Sequence, residues 1–78
     1  MKCYREEILT AVRQIIREKF ENKNEFTVPE VIHTMINNHV PYEMDAIYTQ
    51  ITTRLCANAP GAEYNDFECI RKGFYKLL

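Results

Sequence analysis

Between Met44 and Pro60 the chain reads M-D-A-I-Y-T-Q-I-T-T-R-L-C-A-N-A-P. Within it Tyr48, Thr49, Gln50, Thr52 and Thr53 cluster as hydrogen-bonding side chains that carry no charge. Short hydroxyls and an amide suit the reading of base edges: glutamine reaches adenine through two hydrogen bonds, and threonine can touch a thymine methyl group. Arg54 at the end of the cluster, Arg71 and Lys72 further on, and Lys76 after them have the chemistry to hold phosphates. About four such contacts would give duplex binding a shallow salt dependence, with a slope of roughly −3 to −4. A helix face that needed only solvation would more often carry Lys and Glu, which are also better helix formers than Thr. The plainer reading stands beside this one. Threonine-rich faces also occur with no partner, Arg54 could bridge to an acid over the core edge, and Arg71 and Lys72 could be a solvated tip.

Other chemistry finds little support. Glu6 and Glu7 are adjacent, and adjacent helix residues point about 100° apart, so they do not form a catalytic carboxylate pair. Asp66-x-Glu68 near Lys72 has the outline of a nuclease metal site, but no lysine follows Glu68 at the close spacing such a site needs. No H-E-x-x-H, G-x-S-x-G or P-loop pattern is present. Cys3, Cys56 and Cys69 contain no C-x-x-C pair, and His33 and His39 are too far apart for a zinc site. We therefore expect no enzyme, metal or cofactor, and reduced thiols with Cys56 and Cys69 partly buried.

The 78 residues make one domain, 1–78. A formal charge of −1 gives no global basic field, which weighs against strong non-specific binding to nucleic acid while leaving room for a local basic edge. The start, M-K-C-Y-R-E-E, lacks the apolar region of a signal peptide, and no run approaches the ~20 apolar residues of a membrane span. The expectation is a cytoplasmic protein with no membrane partner. Met1 leads almost directly into an amphipathic helix, so a complete small gene product is expected, with an excised domain as the alternative.

The elements that must position these side chains follow in order. Tyr4 to Phe20 reads as a helix with Tyr4, Ile8, Ala11, Val12 and Ile15 on one stripe and Ile16 at its flank. Its early acids and late bases suit the helix dipole. Glu21-Asn22-Lys23-Asn24 breaks it, and Glu25-Phe26-Thr27 is extended. Thr27-x-x-Glu30 is a capping box with Pro29 in the first turn, which opens a second helix over Val28 to Asn37. Val28, Val31, Ile32, Met35 and Ile36 form its core face, and His33 points outward. Asn37-Asn38 stops this helix, and residues 39–43 turn the chain into a third one, running from Met44 to Pro60. Met44, Ile47, Ile51 and Leu55 are its buried stripe; Asp45, Thr49, Thr52 and Thr53 are its outer face, with Tyr48 and Gln50 at the margins. Pro60-Gly61 marks a loop over 59–65. Strands over Asp66–Ile70 and Phe74–Leu77 then form a hairpin, joined by Arg71-Lys72-Gly73 with Gly73 at positive φ. Phe67, Ile70, Tyr75 and Leu77 are its inward candidates, and Phe67 and Ile70 both face in only if a bulge or an early strand end intervenes.

A hairpin this small must pack on helices, and the short strand at 25–27 can join it as a third strand. The expected fold is α+β: a winged helix-turn-helix with three helices, a short strand and a C-terminal β-hairpin wing. Four stretches, N-E-F-T-V-P-E-V (24–31), I-T-T-R-L-C-A-N-A-P (51–60), Y-N-D-F-E (64–68) and R-K-G-F-Y-K-L (71–77), resemble a family of small winged-helix domains found alone or beside restriction and other DNA-modification enzymes. In outline the chain is also similar to the HARE-HTH winged-helix domains. The resemblance spans nearly the whole chain and implies non-catalytic recognition of DNA or chromatin. On this reading the third helix enters a major groove and the wing approaches the backbone of double-stranded DNA. Tyr48, Thr49, Gln50, Thr52, Thr53, Arg54, Arg71 and Lys72 are the expected contacts. The alternative is a protein-interaction module on the same fold: a homodimer, an adaptor or a small regulator or inhibitor.

Overall fold

The computed structural model describes residues 3–19 and 24–78. The expected helix end at Phe20 and the break at Glu21-Asn22-Lys23 lie outside them. The described chain is α+β, with three helices and a three-stranded antiparallel sheet, compatible with a winged-helix layout. Helix α1 runs Arg5–Glu18, strand β1 Glu25–Phe26, helix α2 Val28–Asn37 and helix α3 Met44–Thr49. A π-helical turn, Gln50–Arg54, continues α3, and strands β2 (Phe67–Arg71) and β3 (Phe74–Leu77) close the chain.

Helix α1 buries Ile8, Leu9, Ala11, Val12 and Ile15, the apolar stripe that its sequence spacing describes, with Leu9 added to it. Helix α2 starts where its chemistry dictates. The Thr27 hydroxyl accepts from the Glu30 amide at 3.4 Å, and Glu30 Oε1 accepts from the Thr27 amide at 2.9 Å. The two side chains thereby satisfy donors that the first helical turn leaves without partners. At the other end Asn38 caps the helix and His39 takes the left-handed conformation at φ 58°. The amides of His39 and Val40 then bond back to the carbonyls of Ile36 and Met35, a Schellman closure. Val31 and Met35 are fully buried, but Ile36, expected in the core, is 50% exposed because the helix ends before anything covers it.

The sheet order is β1-β3-β2, so the two-residue β1 does join the hairpin as its third strand. The hairpin register shifts between Cys69 and Arg71, leaving Ile70 as the bulge residue. That bulge resolves the parity conflict between Phe67 and Ile70, with Phe67 fully buried and Ile70 half-buried. Arg71 pairs in register with Phe74, so it ends β2, and the tip itself is Lys72-Gly73 with Gly73 at φ 83°. The Phe26 ring meets the Phe67 ring edge-on at 4.8 Å, which joins β1 to β2 beneath the helices.

The third helix departs most from expectation. It does not reach Pro60: helical structure stops at Arg54, and Cys56 forms a bridge with Phe67. The Ala57 amide bonds to the Phe67 carbonyl, and the Phe67 amide bonds to the Leu55 carbonyl. Asn58 then substitutes for a strand neighbour, its Oδ1 accepting from the Cys69 amide and its Nδ2 donating to the Cys69 carbonyl, both at 3.1 Å. The N-A-P segment is thus laced to the edge of β2 rather than coiled into the helix. Met44 was expected in the buried stripe; as the first residue of α3 it is 59% exposed, whereas Ala46 and Ile47 in the same turn are buried. Ile47, Ile51 and Leu55 are buried as expected.

Candidate functional site

The outer face of the third helix carries Asp45, Tyr48 and Thr49 exposed, with Thr52, Thr53 and Arg54 half-buried. Gln50 is not on this face. It is 1% exposed, and its Oε1 accepts the Tyr4 backbone N–H at 2.7 Å. That corrects the expectation of an outward amide, and the cause is local. Tyr4 stands at the N-cap of α1, and Gln50 supplies an acceptor for its amide from another element. The signal was present in the spacing: Gln50 follows Ile47 by three and precedes Ile51, which places it on the core side of the stripe.

Where the helix widens from α to π geometry, hydroxyls serve the backbone. Thr52 Oγ1 donates to the Tyr48 carbonyl at 2.8 Å, and Thr53 Oγ1 donates to the Thr49 carbonyl at 2.5 Å. With its proton committed to the backbone, each hydroxyl oxygen retains only acceptor capacity. It is then suited to an adenine or cytosine amino group and unsuited to a phosphate.

The expected cations are engaged to different degrees. Arg54 donates from Nε and Nη2 to Glu63 Oε2 at 3.1 and 2.8 Å, which realises the salt-bridge reading of that residue. The hydrogen bond to Glu63 raises the guanidinium pKa above its ordinary value, with Coulombic attraction adding to it. Glu63 is itself steered there, because its amide bonds to the Arg54 carbonyl. Arg71 lies 4.2 Å over the Phe74 ring and 3.8 Å from Glu25, yet its side chain stays 62% exposed. Lys76 stands in register between Glu25 and Glu68. Lys72 makes no ion pair among the described residues.

Tyr48 and the hairpin tip share one surface. Tyr48, Lys72 and Gly73 line a groove of about 350 Å³ whose walls include Pro29, Cys69 and Tyr75. Burial pushes the Tyr75 phenol pKa above its ordinary value, with Cys69, Cys56 and Tyr48 adding to the shift. Thr53 does not line this groove; its Cβ lies beside Gly61 in the following loop. The structure therefore brings Tyr48 together with Lys72 and keeps Arg54 in a separate ion pair.

Asp66 is held by Arg5 through two bonds of 2.8 and 3.0 Å, and the Arg5 guanidinium lies 4.3 Å over the Tyr64 ring. The Asp66 carboxylate is thus committed to the start of α1. Among the described residues no cluster of His, Cys, Asp and Glu could hold a metal ion, and no helix is long and apolar enough to cross a membrane. Cys56 is buried, Cys69 half-buried and Cys3 exposed. No family model, curated protein or solved structure matches this chain.

Proposed function

We propose that the chain is a non-catalytic winged-helix domain that binds double-stranded DNA across the outer face of its third helix and its hairpin tip. One observation carries the reading: Tyr48 on the helix and Lys72 on the tip line a single groove. Tyr48, Thr49 and Thr52 then meet base edges or sugars, while Lys72 and Arg71 hold phosphates. Gln50, buried against Tyr4, plays no part in the contact, and Arg54 joins only by exchanging Glu63 for a phosphate. Two phosphate contacts instead of four imply a salt slope near roughly −2 and weak binding. The resemblance to small winged-helix domains near DNA-modification enzymes points the same way.

The test is fluorescence anisotropy on duplexes of mixed sequence at low salt. Saturable binding that weakens in Lys72→Ala supports the proposal. No binding at tens of micromolar protein, or binding indifferent to Lys72→Ala, contradicts it.

A second reading, a protein-interaction module, is favoured by the exposed apolar side chains on the same helix. Met44 and Tyr48 are each 59% exposed and one turn apart. Light scattering distinguishes the two: a stable dimer without DNA affinity selects the module.

A further inference from the structure

The groove beside Tyr48 has more shape than a phosphate-gripping tip requires. It lies between the start of α2, the third helix and the hairpin turn, and its walls combine two aromatic rings, Tyr48 and Tyr75, with the Pro29 ring. Tyr75 is nearly buried, whereas Tyr48 is 59% exposed. At one side stands Lys72, which has no ion-pair partner among the described residues. Its volume, about 350 Å³, falls at the small end of sites that hold organic ligands.

Aromatic side chains and a cation lining one groove match a ligand that carries a flat ring and an anion a few bonds apart. A nucleotide has that composition, and aromatic stacking with a nearby cation is how single-stranded nucleic acid is held. A base inside an intact duplex is stacked on its neighbours and cannot enter; an unpaired base can. We infer that this groove receives one unpaired nucleotide of a DNA strand, the base stacking on Tyr48 above Tyr75 and the phosphate meeting Lys72. The inference rests on the duplex-binding reading and narrows it to duplexes that carry an unpaired nucleotide.

The experiment uses the full chain with three probes: a paired duplex, the same duplex with one bulged 2-aminopurine nucleotide, and free thymidine monophosphate. The bulged duplex should bind about tenfold tighter than the paired one, a difference of the size that stacking one base supplies. Its 2-aminopurine fluorescence should be quenched on binding. Tyr48→Ala should abolish both the preference and the quenching, and Tyr48→Phe should keep them. Tyr48 is exposed, so neither change should unfold the chain. Equal binding to paired and bulged duplexes overturns the inference and leaves duplex binding intact. Failure to bind any duplex overturns both. Competition by the free nucleotide at concentrations where the bulged duplex binds overturns it in favour of a free-nucleotide site.

Discussion

Gln50 Oε1 accepts the backbone N–H of Tyr4 at 2.7 Å, joining residues 46 apart in sequence and tying the third helix to the start of α1. The bond is buried, so its acceptor has no replacement from water. Gln50→Leu should destabilise the fold by about 2 kcal/mol, the cost of leaving a buried amide without its partner. Urea titration checks this. Unchanged stability would mean that the Tyr4 amide finds another acceptor.

The capping box at α2 makes a second, smaller stability claim. Thr27→Ala removes the hydroxyl that accepts from the Glu30 amide and should cost about 1 kcal/mol. Thr27→Ser should retain most of that contribution. Thermal unfolding of the two variants side by side measures the difference.

Tyr75 sets an alkaline limit. Burial raises its phenol pKa above the ordinary 10.0, so the folded chain holds this proton at a pH where the unfolded chain has released it. Below that pH the phenol is neutral in both states and stability is unaffected. Stability then falls as pH rises above about 10 and levels off past the folded pKa. In Tyr75→Phe this part of the alkaline decline should be missing. Urea midpoints at neutral pH and above pH 10 for both proteins give the comparison, and parallel declines would reject Tyr75 as the cause.

On the proposed duplex-binding reading, Glu63 competes with a phosphate for Arg54. Glu63→Gln removes the carboxylate charge that holds the guanidinium and should make Arg54 available to a phosphate. Duplex affinity should rise, and the salt slope should steepen by about 0.9, the contribution of one added phosphate contact. An unchanged slope would place Arg54 outside the interface.

Much of the fold was readable in the residues because the signals were local. Thr27, Pro29 and Glu30 fixed the start of α2 and Gly73 the hairpin turn, while the parity of Phe67 and Ile70 left a bulge or an early strand end open, of which the structure has the bulge. What escaped depends on partners distant in sequence. Gln50 is polar, and although its spacing from Ile47 puts it on the core side, the role that holds it there is set by the Tyr4 amide 46 residues away. The third helix stops at Arg54 because β2 captures Cys56, Ala57 and Asn58, a competition that helical periodicity does not register. Met44 and Ile36 fit apolar stripes but stand at helix ends where nothing lies over them. The candidate site was legible as residue types and less so as geometry. Tyr48 and Lys72 meet at one groove, whereas Gln50 turns inward and Arg54 is held by Glu63.

On the proposed reading a duplex is gripped jointly by the Tyr48 face and the Lys72 turn. The most direct measurement is the salt dependence of duplex binding for the parent chain, Lys72→Ala and Tyr48→Ala. A joint grip gives a parent slope of roughly −2, a slope shallower by about 0.9 in Lys72→Ala, and weaker binding with an unchanged slope in Tyr48→Ala. Binding with the same slope and affinity in all three proteins would contradict it.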